Sequence, residues 1–217
     1  MSEHSEKTYS IISLDSGNAG VTVKLAASDS PEVQTYLIKR RTMKNLGLHE
    51  GDTVDQDAVS CIFDDAELCR AEARTTKILS YSDHSCQALV RKLVSYGFSE
   101  EIARQAAQSA VDRGYIKETE QAAQCADYYI RHKYWGKKRI AMELISRGYG
   151  RKTVSEAIAT ISDALFEATI VKLVEKKYPE PAEDRAEHER RISAISRMGY
   201  SLSEIKKAMS AVYGENF

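Results

Sequence analysis

Across residues 55–213 apolar positions recur every three or four residues, the spacing that lines one face of an α-helix. Three segments, "KLVSYGFS", "ELISRGYG" and "AISRMGYS", close such a run on a glycine followed by an aromatic. Their glycines, Gly97, Gly148 and Gly199, are evenly spaced by 51 positions. The flanks agree as well. Four residues before each glycine stand Leu93, Leu144 and Ile195, and directly after it Phe98, Tyr149 and Tyr200. Six positions on are Ala103, Val154 and Ile205; nine on, Ala106, Ala157 and Ala208; ten on, Ala107, Ile158 and Met209; thirteen on, Ala110, Ile161 and Val212. Those offsets describe one helical face. Each glycine is placed to end a helix in the left-handed conformation that a Cβ resists, with the aromatic packing under the next helix. The stretches "DAVSCIFDDAELCRAEARTTKILS", "TEQAAQCADYYIRHKYW" and "DALFEATIVKLVEKK" supply a further helix to each copy. The pattern predicts three tandem three-helix units, at 55–113, 118–162 and 163–217, stacked into an elongated curved array.

The first fifty residues read differently. "YSIISLD" and "GVTVKLA" are short, rich in Val, Ile and Thr, and separated by "SGNAG", which predicts a β-hairpin. Ser30-Pro31-Glu32 has the order of an N-cap, a first-turn proline and an acid, and predicts a helix running through Met43 until "GLHEGDTV" breaks it. The fold class is therefore mainly α, with residues 1–50 as a β-hairpin plus helix extension. Only three prolines and eleven glycines in 217 residues agree with that, since both residues oppose helix interiors.

Composition narrows the function. Hydrophobic residues at 42% and charged residues at 29% suit a soluble globular protein, and no run reaches the roughly 18 apolar residues that span a bilayer. "MSEHSEKTYS" has no basic and apolar leader pattern, so a cytoplasmic protein without membrane contact is expected. The four cysteines form no CxxC pair, and no His/Cys spacing suggests a metal; neither cofactor nor metal is expected. GxxxxGK[ST], GxGxxG, HExxH and GxSxG are all missing, so no catalytic residue is assigned.

The net charge is only −1, yet residues 128–152, "YYIRHKYWGKKRIAMELISRGYGRK", carry eight Lys or Arg against Glu143 alone. Lys137 and Lys138 fall in a first helical turn, where cations oppose the helix dipole, and Arg139 lies opposite the apolar side formed by Ile140, Ala141, Leu144 and Ile145. Arg147, Arg151 and Lys152 surround the next helix boundary. Tyr134 and Trp135 end the preceding helix, with Trp135 assigned to the core. Cations interleaved with aromatics suit phosphates, bases or a protein interface, with a solvated helix face as the alternative. Residues 50–74 hold eight acids against Arg70 and Arg74, which reads as a solubilising face or, alternatively, as a surface for basic partner residues. In the third unit Arg190, Arg191, Arg197, Lys206 and Lys207 form a second basic group, partly offset by Glu187 and Glu189.

"KILSYSDHSCQALVRKLVSYGFSEEIARQAAQSAVDRGYI", "ADYYIRHKYWGKKRIAMELISRGYGRKTVSEAI" and "RRISAISRMGYSLSEIKKAM" resemble the successive repeats of the RecX family, bacterial regulators of the RecA recombinase. The hairpin and "LGLHEGDTVD" are similar to an extension carried by some members. The chain departs from the family pattern at Tyr81, Gln87-Ala88 and Lys117-Glu118. The resemblance implies a regulatory protein, active in DNA repair, homologous recombination and the SOS response. It would dock in the groove of the RecA–DNA filament as a monomer and restrain ATP hydrolysis and strand exchange. Lys137, Lys138, Arg139, Arg147, Arg151, Lys152 and Tyr134 are then the candidate contacts to the filament or to single- or double-stranded DNA. A stand-alone helical DNA-binding protein is the alternative reading.

Overall fold

A computed structural model describes residues 8–30 and 32–214. Residues 1–7, on which the leader reading rests, and Pro31 lie outside them. Contacts between Cα atoms divide the chain into two compact units, one of Met1–Ser82 with Leu89–Tyr115, the other of Asp83–Ala88 with Ile116–Phe217.

The first unit opens with the expected hairpin, β1 (Tyr9–Gly17) and β2 (Gly20–Ala27), antiparallel with Gly17 facing Gly20. The predicted helix after Ser30 is instead a third strand, β3 (Val33–Ile38), paired antiparallel to β2 from Val33 opposite Ala26 to Ile38 opposite Val21. Ser30 does form a local cap, since its Oγ accepts from the Glu32 amide at 3.2 Å, but this turn leads into a strand. Val33, Thr35, Tyr36 and Ile38 are stiff or aromatic residues that favour a pleated sheet, and the neighbouring strand settles the choice. Helix α1 (Arg40–Leu46) starts only afterwards and ends on Gly47, held left-handed at φ 60. Strand β4 (Thr53–Val54) completes a sheet of order β3-β2-β1-β4. Ile11, Val21, Val23, Leu25 and Ile38 from the sheet pack with Leu48, Val59, Ile62 and Ala66, the last three from the 24-residue helix α2 (Gln56–Leu79) on its near face.

Leu48 follows directly on the end of α1. Helices α3 (Cys86–Ser95) and α4 (Glu100–Asp112) follow, and α4 packs on α2 through Ile102, Ala103, Ala106, Ala107 and Ala110. The second unit contains α5 (Glu118–Lys133), α6 (Lys137–Ser146), α7 (Arg151–Ala159), α8 (Asp163–Lys177), α9 (Arg185–Arg197) and α10 (Leu202–Tyr213). One core joins α5, α6 and α7 through Tyr129, Ile130, Ile140, Leu144, Tyr149 and Val154. Another joins α8, α9 and α10 through Ile170, Leu173, Val174, Ile195, Tyr200 and Ile205. The mainly helical class with a small N-terminal sheet is as expected.

Every glycine of the repeated turn is left-handed, at φ 93 for Gly97, 92 for Gly148 and 97 for Gly199. Leu93, Leu144 and Ile195 are buried before them, and Ala103, Val154 and Ile205 after them. The acid-rich segment has a different outcome from a free acidic face. Asp55 caps α2, Glu50 accepts from the Leu14 amide, Asp52 from the His49 amide and Asp65 from the Lys39 amide. Glu72 pairs with Lys39 at 2.8 Å and with Arg113 at 3.3 Å. Much of that negative charge is thus committed to holding the first unit together.

Candidate partner-binding surface

The candidate cations are set by two helix starts in the second unit, α6 and α7. Neither start has a side-chain cap, because Gly136 and Gly150 occupy the N-cap positions. At α6 the missing acceptors come from the end of α9. The Gly136 amide donates to the Met198 carbonyl at 2.8 Å and the Lys138 amide to the Gly199 carbonyl at 3.4 Å. Arg139 adds a guanidinium hydrogen bond to the Arg197 carbonyl at 3.2 Å. Orphan donors of one helix and orphan carbonyls of another are satisfied together, and the two opposed dipole ends attract. The contact is too tight for side chains. A Cβ on Gly136 would fall 2.6 Å from the Gly199 carbonyl oxygen, and one on Gly199 would meet the Arg139 backbone.

The same joint occurs earlier in the chain. Ser85 Oγ caps α3 by accepting from the Ala88 amide at 3.1 Å and donates to the Arg147 carbonyl, at the end of α6, at 2.8 Å. In both joints the acceptor lies 62 positions beyond the donor, 85 to 147 and 136 to 198. The two contacts are thus offset by 51 positions, the same interval that separates the glycines.

The expected site residues divide by their surroundings. Lys137 is paired with Asp163 and lies 5.2 Å from the Phe166 ring centre. Arg139 lies over Trp135 at 4.7 Å, Trp135 stacks on Tyr129 at 4.6 Å, and Arg147 lies over Tyr129 at 5.4 Å. Arg147 is also paired with Glu143 at 3.0 Å. These three cations are engaged within the fold. Lys138 and Arg151 are exposed, with no acidic partner among the described residues, and Lys152 is 90% exposed with Glu156 only at 3.9 Å. Lys138 lies in the first turn of α6, whereas Arg151 and Lys152 open α7. The α9 joint brings Arg197 beside Arg139, so a cation of the second basic group adjoins the first. Arg191 is offset as expected, by Glu187 at 2.6 Å.

Tyr134 terminates α5 in a left-handed conformation at φ 54, the only non-glycine residue so placed among those described. It packs partly against the α8–α10 core, and Lys176 lies 5.4 Å from its ring centre. Trp135 is partly buried against the α5–α7 core, as assigned. Ile145 departs from expectation: Ile140 and Leu144 are fully buried, but Ile145 is 47% exposed. Burial in the α5–α7 core pushes the Tyr149 phenol up to about 12.

A groove of about 510 Å³ lies against the stacked rings, lined by Gln124, Cys125, Tyr128, Tyr129, Lys133, Trp135, Glu143 and Arg147. Tyr128 and Lys133 on its wall are exposed. Sequence reasoning passed over both, although the Cys125, Tyr128/Tyr129, Lys133 spacing of three and four already put them on one face of a helix. Among the described residues there is no group of three potential metal ligands.

Two curated proteins align with this chain, and both are named Regulatory protein RecX. The one from Clostridioides difficile (strain 630) is 25% identical over 176 residues, covering 80% of this chain and 82% of that protein. The one from Vibrio parahaemolyticus serotype O3:K6 is 26% identical over 136 residues, covering 62% and 86%. A crystal structure of regulatory protein RecX superposes with a TM-score of 0.71, over 92% of this chain and 99% of that one, at 16% identity. The likeness to the RecX family is borne out. RecX from Lactobacillus salivarius shares the fold too, with a TM-score of 0.60 at 18% identity, over 67% of this chain and 96% of that one. No family model matches the chain. RecX proteins thus stand among both its sequence relatives and its structural neighbours, and it shares their fold.

Proposed function

We propose that this chain is a regulator of RecA that binds the RecA–DNA filament and restrains its ATPase and strand exchange. The observation that carries the reading is the alignment with a curated RecX regulatory protein along four-fifths of the chain. The architecture that would serve it is three tandem three-helix units, 55–113, 118–162 and 163–217, behind a sheet-containing extension at 1–50. The cations available for contact are Lys138, Arg151 and Lys152, and the aromatic groove lined by Tyr128, Lys133 and Trp135 offers a further surface. Lys137, Arg139, Arg147 and Tyr134 shape that surface and hold it in place. The protein acts by binding, as a cytoplasmic monomer, without cofactor or catalytic residue of its own.

The decisive experiment titrates the chain into the single-stranded-DNA-dependent ATPase of its cognate RecA, together with co-sedimentation on DNA. Inhibition well below one molecule per RecA subunit is expected. Unchanged ATPase without co-sedimentation overturns the proposal. The triple substitution Lys138→Glu, Arg151→Glu, Lys152→Glu should fold normally, since single exposed substitutions usually shift stability by no more than about 0.5 kcal/mol, and should bind the filament markedly less tightly. Wild-type binding by a folded triple variant removes these residues from the site.

A further inference from the structure

Helix α5 is capped at its C-terminus by Tyr134 at φ 54, a conformation that a side chain resists, whereas α8 is capped by Tyr178 at φ −140. The strained residue turns the chain back on itself. The Trp135 amide then donates to the Tyr129 carbonyl at 3.3 Å, and the Trp135 ring stacks on the Tyr129 ring. Arg139 lies over Trp135 and Arg147 over Tyr129, so the stacked pair keeps no free face. Tyr128 stands outside that column. It meets Tyr129 edge-on at 5.8 Å and His132 at 4.8 Å, and it is still 48% exposed. Gln124 lies one helical turn before Tyr128, and both line the groove of about 510 Å³ with Lys133. Gln124 and Lys133 are exposed, and among the described residues neither side chain has a hydrogen-bonding or acidic partner.

We infer that this groove binds an unpaired base of a single-stranded nucleic acid. A groove of this size, within the roughly 300–1,000 Å³ of ligand sites, with aromatic walls takes a cation, an apolar side chain or a planar base. Charge decides among them. The one acid on the groove wall, Glu143, is already paired with Arg147, which leaves Lys133 and the Arg139 guanidinium to repel a cationic ligand. An apolar side chain would use Tyr128 but leave Lys133 and Gln124 without a partner. A base with its phosphate uses all three. The base stacks on Tyr128, the Gln124 amide offers both a donor and an acceptor to its edge, and Lys133 meets the phosphate. The strand must be single, because a base within a duplex is stacked on both faces and cannot enter a groove without being flipped out. The site goes beyond the regulator reading and does not depend on it, since a free oligonucleotide can fill the groove.

Two labelled strands of equal length and charge test it on the full-length chain by fluorescence anisotropy, one of thymidine and one abasic throughout. The wild-type chain should bind the thymidine strand about tenfold more tightly, the gain expected from stacking one base on an aromatic ring. Tyr128→Ala should bring the two strands level, and Tyr128→Phe, which keeps the ring, should keep the preference. Lys133→Gln should weaken both strands alike, because it removes a phosphate contact and no base contact. A strand carrying 5-iodouracil should crosslink on irradiation to the Gln124–Lys133 segment. Equal binding of both strands by the wild-type chain, no binding of either, or a crosslink elsewhere in the chain overturns the base site. So does a preference that survives in Tyr128→Ala or is lost in Tyr128→Phe. Self-association of the chain that Tyr128→Ala abolishes would assign the groove to a second copy instead. All of these outcomes leave the regulator reading standing, because the ATPase titration judges it separately.

Discussion

Gly97 and Gly199 hold the same left-handed turn in different company, and that difference separates conformational strain from packing. At Gly97 an alanine meets open space and bears only the left-handed conformation, about 1–2 kcal/mol. At Gly199 the same methyl group also runs into Arg139 and Gly136 backbone atoms, which adds an overpacking cost of about 1–3 kcal/mol. In urea denaturation Gly199→Ala should therefore destabilise the chain clearly more than Gly97→Ala. The fluorescence of Trp135, the chain's one tryptophan, should report the larger loss because it stacks on Tyr129 in the same unit as Gly199. Equal effects would mean that the α6–α9 joint yields easily. The turn glycines themselves were legible from sequence because spacing and neighbours repeat. The two classes of surroundings were not, since what covers Gly199, the start of α6 from Gly136 to Arg139, lies 60 or more positions earlier in the chain.

Nothing near Gly199 in the sequence announces the residues that cover it. The same holds for elements. Ser30 and Glu32 do make a cap, but whether a cap opens a helix or a strand depends on the sheet edge offered by β2, which is a tertiary fact. The acids of 50–74 looked free because their partners are distant: Glu72 on α2 meets Lys39, ahead of α1, and Arg113, behind α4. Burial raises the Glu72 pKa, but the hydrogen bond and charge of Lys39, with Ser109 and Arg113, outweigh it and hold the carboxyl below its usual range. A depressed carboxylate stabilises the fold above its unfolded pKa of about 4.3, and that contribution is lost as pH falls through the folded value. Wild-type stability, followed by circular dichroism in urea, should thus drop on acidification below about pH 4.3. Glu72→Gln should be less stable at pH 7 by about 1–3 kcal/mol and show a shallower acid drop. A variant as stable as wild type at neutral pH would remove Glu72 from the supports of the first unit.

For the molecule as a whole, a net charge of −1 conceals cations that the fold has already engaged and cations that it has left available. The sequence located the basic stretch but could not sort it, because the sorting depends on Asp163 beside Lys137, on Glu143 beside Arg147 and on the stacked pair of Trp135 and Tyr129. Salt dependence can read that sorting directly. A cation that neutralises a phosphate of single-stranded DNA contributes about −0.7 to the slope of log affinity against log salt. If Lys138, Arg151 and Lys152 are the available contacts, replacing all three by glutamine should flatten the slope for a labelled oligonucleotide by about 2. Lys137→Gln should leave it nearly unchanged, since Asp163 already pairs with that ammonium. Fluorescence anisotropy across a series of salt concentrations measures both. Equal flattening by Lys137→Gln would show that the Asp163 pair opens on binding. No flattening by the triple variant, with filament binding intact, would assign the affinity to the filament protein and leave the DNA to other parts of the complex.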